Sequence, residues 1–185
     1  SFVRKGDTVI DVGAERGWCT LHLAQIVGHT GQVFAFEPFA PNRAALERNL
    51  AANDYAHVSV LDHAVGATEE DVYFEAPDAV ASTHRRLGGG LPNTGLGRVR
   101  STPSERANRV TQTTLDAFWL ERGRPRVRLF KVDIEGGELS CLTGARALIE
   151  AERPIIVVEF NRSTGSTHAL LQHLEDRGYE VLFRD

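Results

Sequence analysis

Carboxylates that close apolar runs are the residues of this chain best suited to chemistry. Asp11 sits inside the run from Thr8 to Val12, and Glu37 follows the run 32–36. Asp62 follows 57–61, Asp133, Glu135 and Glu138 follow 127–132, and Glu159 follows 154–158. In a doubly wound α/β sheet such strand ends share one edge, and that edge binds ligands. Acids gathered there can accept protons from hydroxyls or hold hydroxyl and amino groups in place.

The first of these runs leads through Gly13-Ala14-Glu15-Arg16-Gly17 into a helical pattern. Glycine allows the sharp turn and a close ligand approach there. The spacing is Gly-x-x-x-Gly, unlike the Gly-x-Gly-x-x-Gly of dinucleotide sites. Glu15 in mid-loop would oppose a pyrophosphate's charge at short range. S-adenosylmethionine (SAM) carries adenosine without phosphate, and its sulfonium and ammonium groups are positive. Asp11 and Glu15 therefore suit SAM better than NAD, with Gly13, Ala14 and Gly17 shaping the loop around it. Glu37 lies 20 residues past Gly17, the distance at which a Rossmann-like unit presents an acid to ribose hydroxyls. Phe39 could pack on adenine, and Asp62 beside His63 could accept from its amino group. Each has a plainer alternative as a core aromatic or a loop residue.

Positioning these groups requires a regular frame. Strands are expected at 8–12, 32–36, 57–61, 127–132, 154–158 and 179–183, with a short extra strand at 72–74 and an edge strand at 110–113. Helices are expected after Gly17, with Cys19, Leu23 and Ile26 as the inner stripe, and from Pro41, Thr114, Leu139 and Ser166. Alternation of this kind implies a Rossmann-like, doubly wound, mainly parallel sheet. Residues 76–109 break the pattern with Gly88-Gly89-Gly90 and three prolines. They read as a lid insertion. Six arginines there (Arg85, Arg86, Arg98, Arg100, Arg106 and Arg109) against Asp78 and Glu105 suggest an anionic substrate.

Length and composition bound the rest. The 185 residues suffice for one domain with a real core, and 42% hydrophobic with 25% charged content is ordinary for a globular chain. A net charge of −4 excludes a generic polyanion binder. Cys19 and Cys141 fall in helical patterns and read as reduced thiols. With no signal peptide or long apolar run, a cytoplasmic protein without membrane contact is the expectation, and a homo-oligomer is compatible with it. The chain lacks methionine and opens just before its first strand, so an excised domain is expected.

Taken in order, Asp11-Val12-Gly13-Ala14 with Gly17, Phe36-Glu37-Pro38, and Lys131-Val132-Asp133-Ile134-Glu135-Gly136-Gly137-Glu138 resemble the FkbM-type SAM-dependent methyltransferases. Thr114-Leu115-Asp116 and Glu159 also match, and the resemblance runs from about Gly6 to Phe183. It implies a seven-stranded SAM-binding fold and methyl transfer to a small acceptor, usually a hydroxyl of a sugar or natural product. Glu15 stands where members commonly have asparagine. Asp133, Glu135 and Glu159 are the catalytic candidates, because a hydroxyl that is methylated must also lose a proton. Asp133, Glu159 and Asn161 could instead hold Mg²⁺. His63, His84 and His168 are further candidate bases. Other readings are an NAD-dependent oxidoreductase, a non-catalytic module of a larger protein, and RNA methylation, for which no stacking platform is evident.

Overall fold

A computed structural model describes residues 2–75, 98–100, 102, 107–159 and 167–182. Its centre is a five-stranded parallel sheet built from β1 (Thr8–Val12), β2 (Gln32–Phe36), β3 (Val58–Leu61), β8 (Val127–Val132) and β9 (Ile155–Val158). They lie in the order β3-β2-β1-β8-β9. Chain direction is shared, so all five carboxyl ends reach one edge. The helices are α1 (Trp18–Val27), α2 (Ala40–Ala52), α3 (Leu115–Glu121), α4 (Glu138–Thr143), α5 (Arg146–Glu152) and α6 (Thr167–Glu175).

Side chains alternate across a strand, so each strand feeds two layers. Ile10, Val12, Phe130 and Val132 join the core beneath α3 to α6, whereas Val9, Val33 and Leu129 pack with Ala24 and Val27 of α1. Asp11 and Lys131 share the α1 face and stand in register across β1 and β8. The buried stripe of α1 is Thr20, Ala24 and Val27, one position on from the expected Cys19, Leu23 and Ile26. Thr20 donates to Asp11 Oδ2 at 2.7 Å, and this bond rotates the helix so that Ile26 stays 42% exposed.

Several connections are built by polar caps. Thr114 caps α3 by accepting from the Ala117 amide at 3.1 Å. Asp116 accepts the Ala147 and Leu148 amides at the start of α5, both at 2.9 Å. The Thr-Leu-Asp match is thus a structural joint, with Leu115 buried between the two caps. Both cysteines are free thiols.

A second sheet holds β4 (Ala64–Val65), β5 (Glu70–Glu75), β6 (Arg98–Arg100) and β7 (Ala107–Thr113), in the order β4-β7-β5-β6. This corrects two expectations. The strand expected at 110–113 is longer and internal, pairing with β4 and β5. Residues 98–100 and 107–109, expected to be unpatterned lid, are strands. Two of the counted arginines are also engaged outside that stretch, Arg100 with Glu75 and Arg109 with Asp71. The remaining lid positions, Arg85 and Arg86 among them, lie outside the described residues. No strand forms at 179–182. Instead Tyr179 and Val181 pack on the core, and the Tyr179 hydroxyl donates to the Pro154 carbonyl at 3.0 Å.

Candidate active site

The carboxyl edge of the parallel sheet opens into a cleft walled by Gly13, Glu15, Glu37, Asn42, His63, Asp133 and Ile134, with Phe74 and Val99 of the second sheet facing them. Three of these residues are acids, and no lysine or arginine is among the lining residues. The cavity measures about 50 Å³, far below the roughly 300–1,000 Å³ usual for ligand sites. A second cavity of about 540 Å³ shares the walls Pro38 and Phe74 and is lined also by Phe39, Arg43, Asp62 and Arg109.

The glycine loop is held by its own amides. Gly13 and Ala14 donate to the Phe36 carbonyl at 3.1 and 3.0 Å, and Gly17 donates to the Ala14 carbonyl at 2.8 Å. Glu15 donates its backbone N–H to Glu37 Oε2 at 2.8 Å. A phosphate-binding loop needs such donors turned toward the anion, and here they are already engaged. Its glycines serve close packing. A Cβ on Gly13 would fall 1.9 Å from the Asp133 carbonyl oxygen, and one on Gly17 would fall 2.6 Å from Leu46. Both have positive φ.

Glu37 is 3% exposed and accepts a second backbone bond, from Phe39, at 2.9 Å. Burial lifts its pKa to about 7, against the Phe39 and Glu15 amides that favour the charged form. Folding thus gives Glu37 a proton between about 4.5 and about 7. The folded chain binds more protons than the unfolded chain in that window. The group's stabilising contribution is full below pH 4.5 and fades as pH rises through 7. Urea unfolding from pH 4.5 to 8 should show this fall, and Glu37→Gln should flatten it by on the order of 2–3 kcal/mol. An unaltered slope in the variant would mean that Glu37 ionises as an ordinary carboxylate.

Asp11 faces inward. It is fully buried, with Thr20 on one oxygen and Lys131 Nζ 3.0 Å from the other. Burial raises its pKa and Lys131 opposes that rise. The same ammonium donates to the Gly13 carbonyl at 3.2 Å and lies 3.5 Å from Asp133 Oδ2. Burial works against the Lys131 charge, but Asp11 and Asp133 outweigh it and raise its value. Asp11, expected against the cofactor, therefore acts on the loop's frame. Lys131, to which sequence reading gave no role, locks β1, the loop and Asp133 together. Its signal was a lysine set between the apolar Phe130 and Val132.

The other candidates divide. Gly13, Glu37, His63 and Asp133 line the cleft, whereas Ala14 is buried beneath it. Phe39 stacks on Phe74, with ring centroids 5.5 Å apart, and it lines the larger cavity with Asp62. His63 Nδ1 is 3.1 Å from Asp62 Oδ1. Glu138 turns back to accept the Ile134 and Gly136 amides at 3.3 and 3.0 Å, which holds the turn after β8. Glu135 occupies that turn with φ 54°. Glu159 is exposed, and its hydrogen bond with Asp133, then the charge of Asp133, raise its value to about 7. Among the described residues no three His, Cys, Asp or Glu side chains converge as a metal site. Asn161 and His84 lie outside those residues.

The Methyltransferase FkbM domain family matches residues 11–181. The chain belongs to the FkbM methyltransferase family. It is similar to the AMB antimetabolite synthetase AmbE of Pseudomonas aeruginosa (strain PAO1), at 29% identity over 95% of this chain and 10% of the synthetase. Methyltransferase FkbM from Methylobacillus flagellatus KT superposes with a TM-score of 0.54 at 18% identity, covering 85% of this chain and 32% of that one. A SAM-dependent O-methyltransferase from Thermotoga maritima gives 0.50 at 15% identity, over 94% and 45% of the two chains. These structures share the fold of SAM-dependent methyltransferases, and this FkbM domain has it. The chain spans about a tenth of the synthetase and a third of the FkbM structure. Among the described residues no helix is long and apolar enough to cross a membrane.

Proposed function

We propose that this FkbM domain moves a methyl group from SAM to a hydroxyl oxygen of a small acceptor, a sugar or natural product, in the cytoplasm. One observation carries the choice of cofactor. Among the described residues the cleft presents Glu15, Glu37 and Asp133 without a basic side chain, while the loop amides are engaged internally. Such a site repels a pyrophosphate and attracts a ligand with fixed positive charge. Its fit to SAM is further marked by a buried acceptor, Asn42 Oδ1, which has no partner among the described residues.

Bound SAM would supply a methyl group on a sulfonium that is already a good leaving group. The chain must then align the acceptor oxygen and take its proton. Glu37 accepts at the ribose diol, and Glu15 and Asp133 oppose the positive groups. Asp133 and Glu159 form a carboxyl pair at the neighbouring ends of β8 and β9, and Glu159 near pH 7 is matched to accept a hydroxyl proton at neutral pH. Glu135 adds negative charge beside them. An acceptor with carboxylate or phosphate groups would suit the arginine-rich stretch 76–109. Its size class is a small molecule rather than a nucleic acid.

Calorimetry should show S-adenosylhomocysteine binding at least 100-fold more tightly than NAD. Tight NAD binding with no response to the sulfur nucleoside would overturn the assignment.

A further inference from the structure

We infer that Asn42 is a second acceptor for the cofactor's ribose diol, working beside Glu37. This deepens the SAM reading and rests on it. Asn42 stands in the first turn of α2, is 2% exposed and lines the same cleft as Glu37. Its Oδ1 is buried and has no hydrogen-bond partner among the described residues. Buried polar atoms are rarely left unpaired, so each exception needs a cause. The preceding residue, Pro41, has no N–H to offer.

Asn42 neighbours Glu37, where its side chain favours the charged carboxylate, and its Oδ1 remains without a donor among the described residues. Glu37 has one backbone N–H on each oxygen and keeps further lone pairs. Two acceptors at one wall, Glu37 with lone pairs to spare and Asn42 Oδ1 without a donor, match two hydroxyls on adjacent carbons. Glu37 takes one and Asn42 Oδ1 the other. An aliphatic chain in this place would offer no such pair of donors.

The test is calorimetry with S-adenosylhomocysteine and its 2′-deoxy and 3′-deoxy forms, on the wild type, Asn42→Leu and Asn42→Ala. Both variants should bind the intact ligand about 3- to 10-fold more weakly. One deoxy form, lacking the hydroxyl that Asn42 accepts, should bind wild type and variants alike. Without ligand the melting temperature should not fall in Asn42→Leu, because an unpaired acceptor has been removed. A lowered melting temperature would make Asn42 structural and overturn the inference. Equal weakening of all three ligands, or of none, would overturn it too. If wild type binds no S-adenosylhomocysteine, the cofactor reading fails as well. If wild type binds it and the variants match, only the role of Asn42 fails.

Discussion

Lys131→Met is expected to destabilise the fold by about 3–5 kcal/mol, the loss typical when one partner of a buried ion pair is removed. Asp11 would remain fully buried, with only Thr20 to donate to it. The Gly13 carbonyl and Asp133 would lose the same ammonium. Methionine keeps the length and apolar character of the lysine stem, so packing changes little. Removing the stranded charge as well, in Lys131→Met with Asp11→Asn, should restore more than half of the loss. Urea unfolding of the two single variants and the double variant measures both effects. A single-variant loss below about 1 kcal/mol would show that solvent already screens the pair.

Asp133→Asn should reduce turnover by about 10²–10⁴-fold, the usual worth of positioned acid–base chemistry. Stability should change by no more than about 1 kcal/mol, because Asp133 has 38% of its side chain exposed. The variant also removes the two leading causes that raise Glu159, its hydrogen bond with Asp133 and that residue's charge. Glu159 should then return toward the ordinary carboxylate range, and the acidic limb of the residual pH–rate profile should move to lower pH. Turnover within threefold of wild type would remove Asp133 from the chemistry.

These two residues mark the boundary of what the linear chain discloses. Asp133 was legible because an acid after an apolar run, followed by two glycines, can only lie at a strand end. The same logic located Glu37 and the parallel sheet. Asp11 looked equivalent but lies within its strand, and the face it takes depends on Thr20 and on the register with Lys131. Only the assembled sheet fixes that register. Asn42 reads as an ordinary first-turn residue, since nothing local says that it points back at Glu37. Strands at 72–74 and 110–113 were expected, but their pairing into a second sheet escaped for another reason. β5 pairs with β7 across more than 30 intervening positions, so no turn signal connects them. Its strands also alternate too weakly to announce a buried face.

The engaged amides of the glycine loop limit how this scaffold could be re-engineered. Replacing Glu15 with glycine would remove the acid, but the N–H groups of Gly13 and Ala14 would still point at the Phe36 carbonyl. A nicotinamide enzyme could not be made here by exchanging side chains. The backbone itself would have to unwind, with Gly13 still confined to glycine by the Asp133 carbonyl, which a Cβ there would meet at 1.9 Å. Lineages built on this loop are in effect committed to phosphate-free nucleosides, whatever acceptor they come to modify.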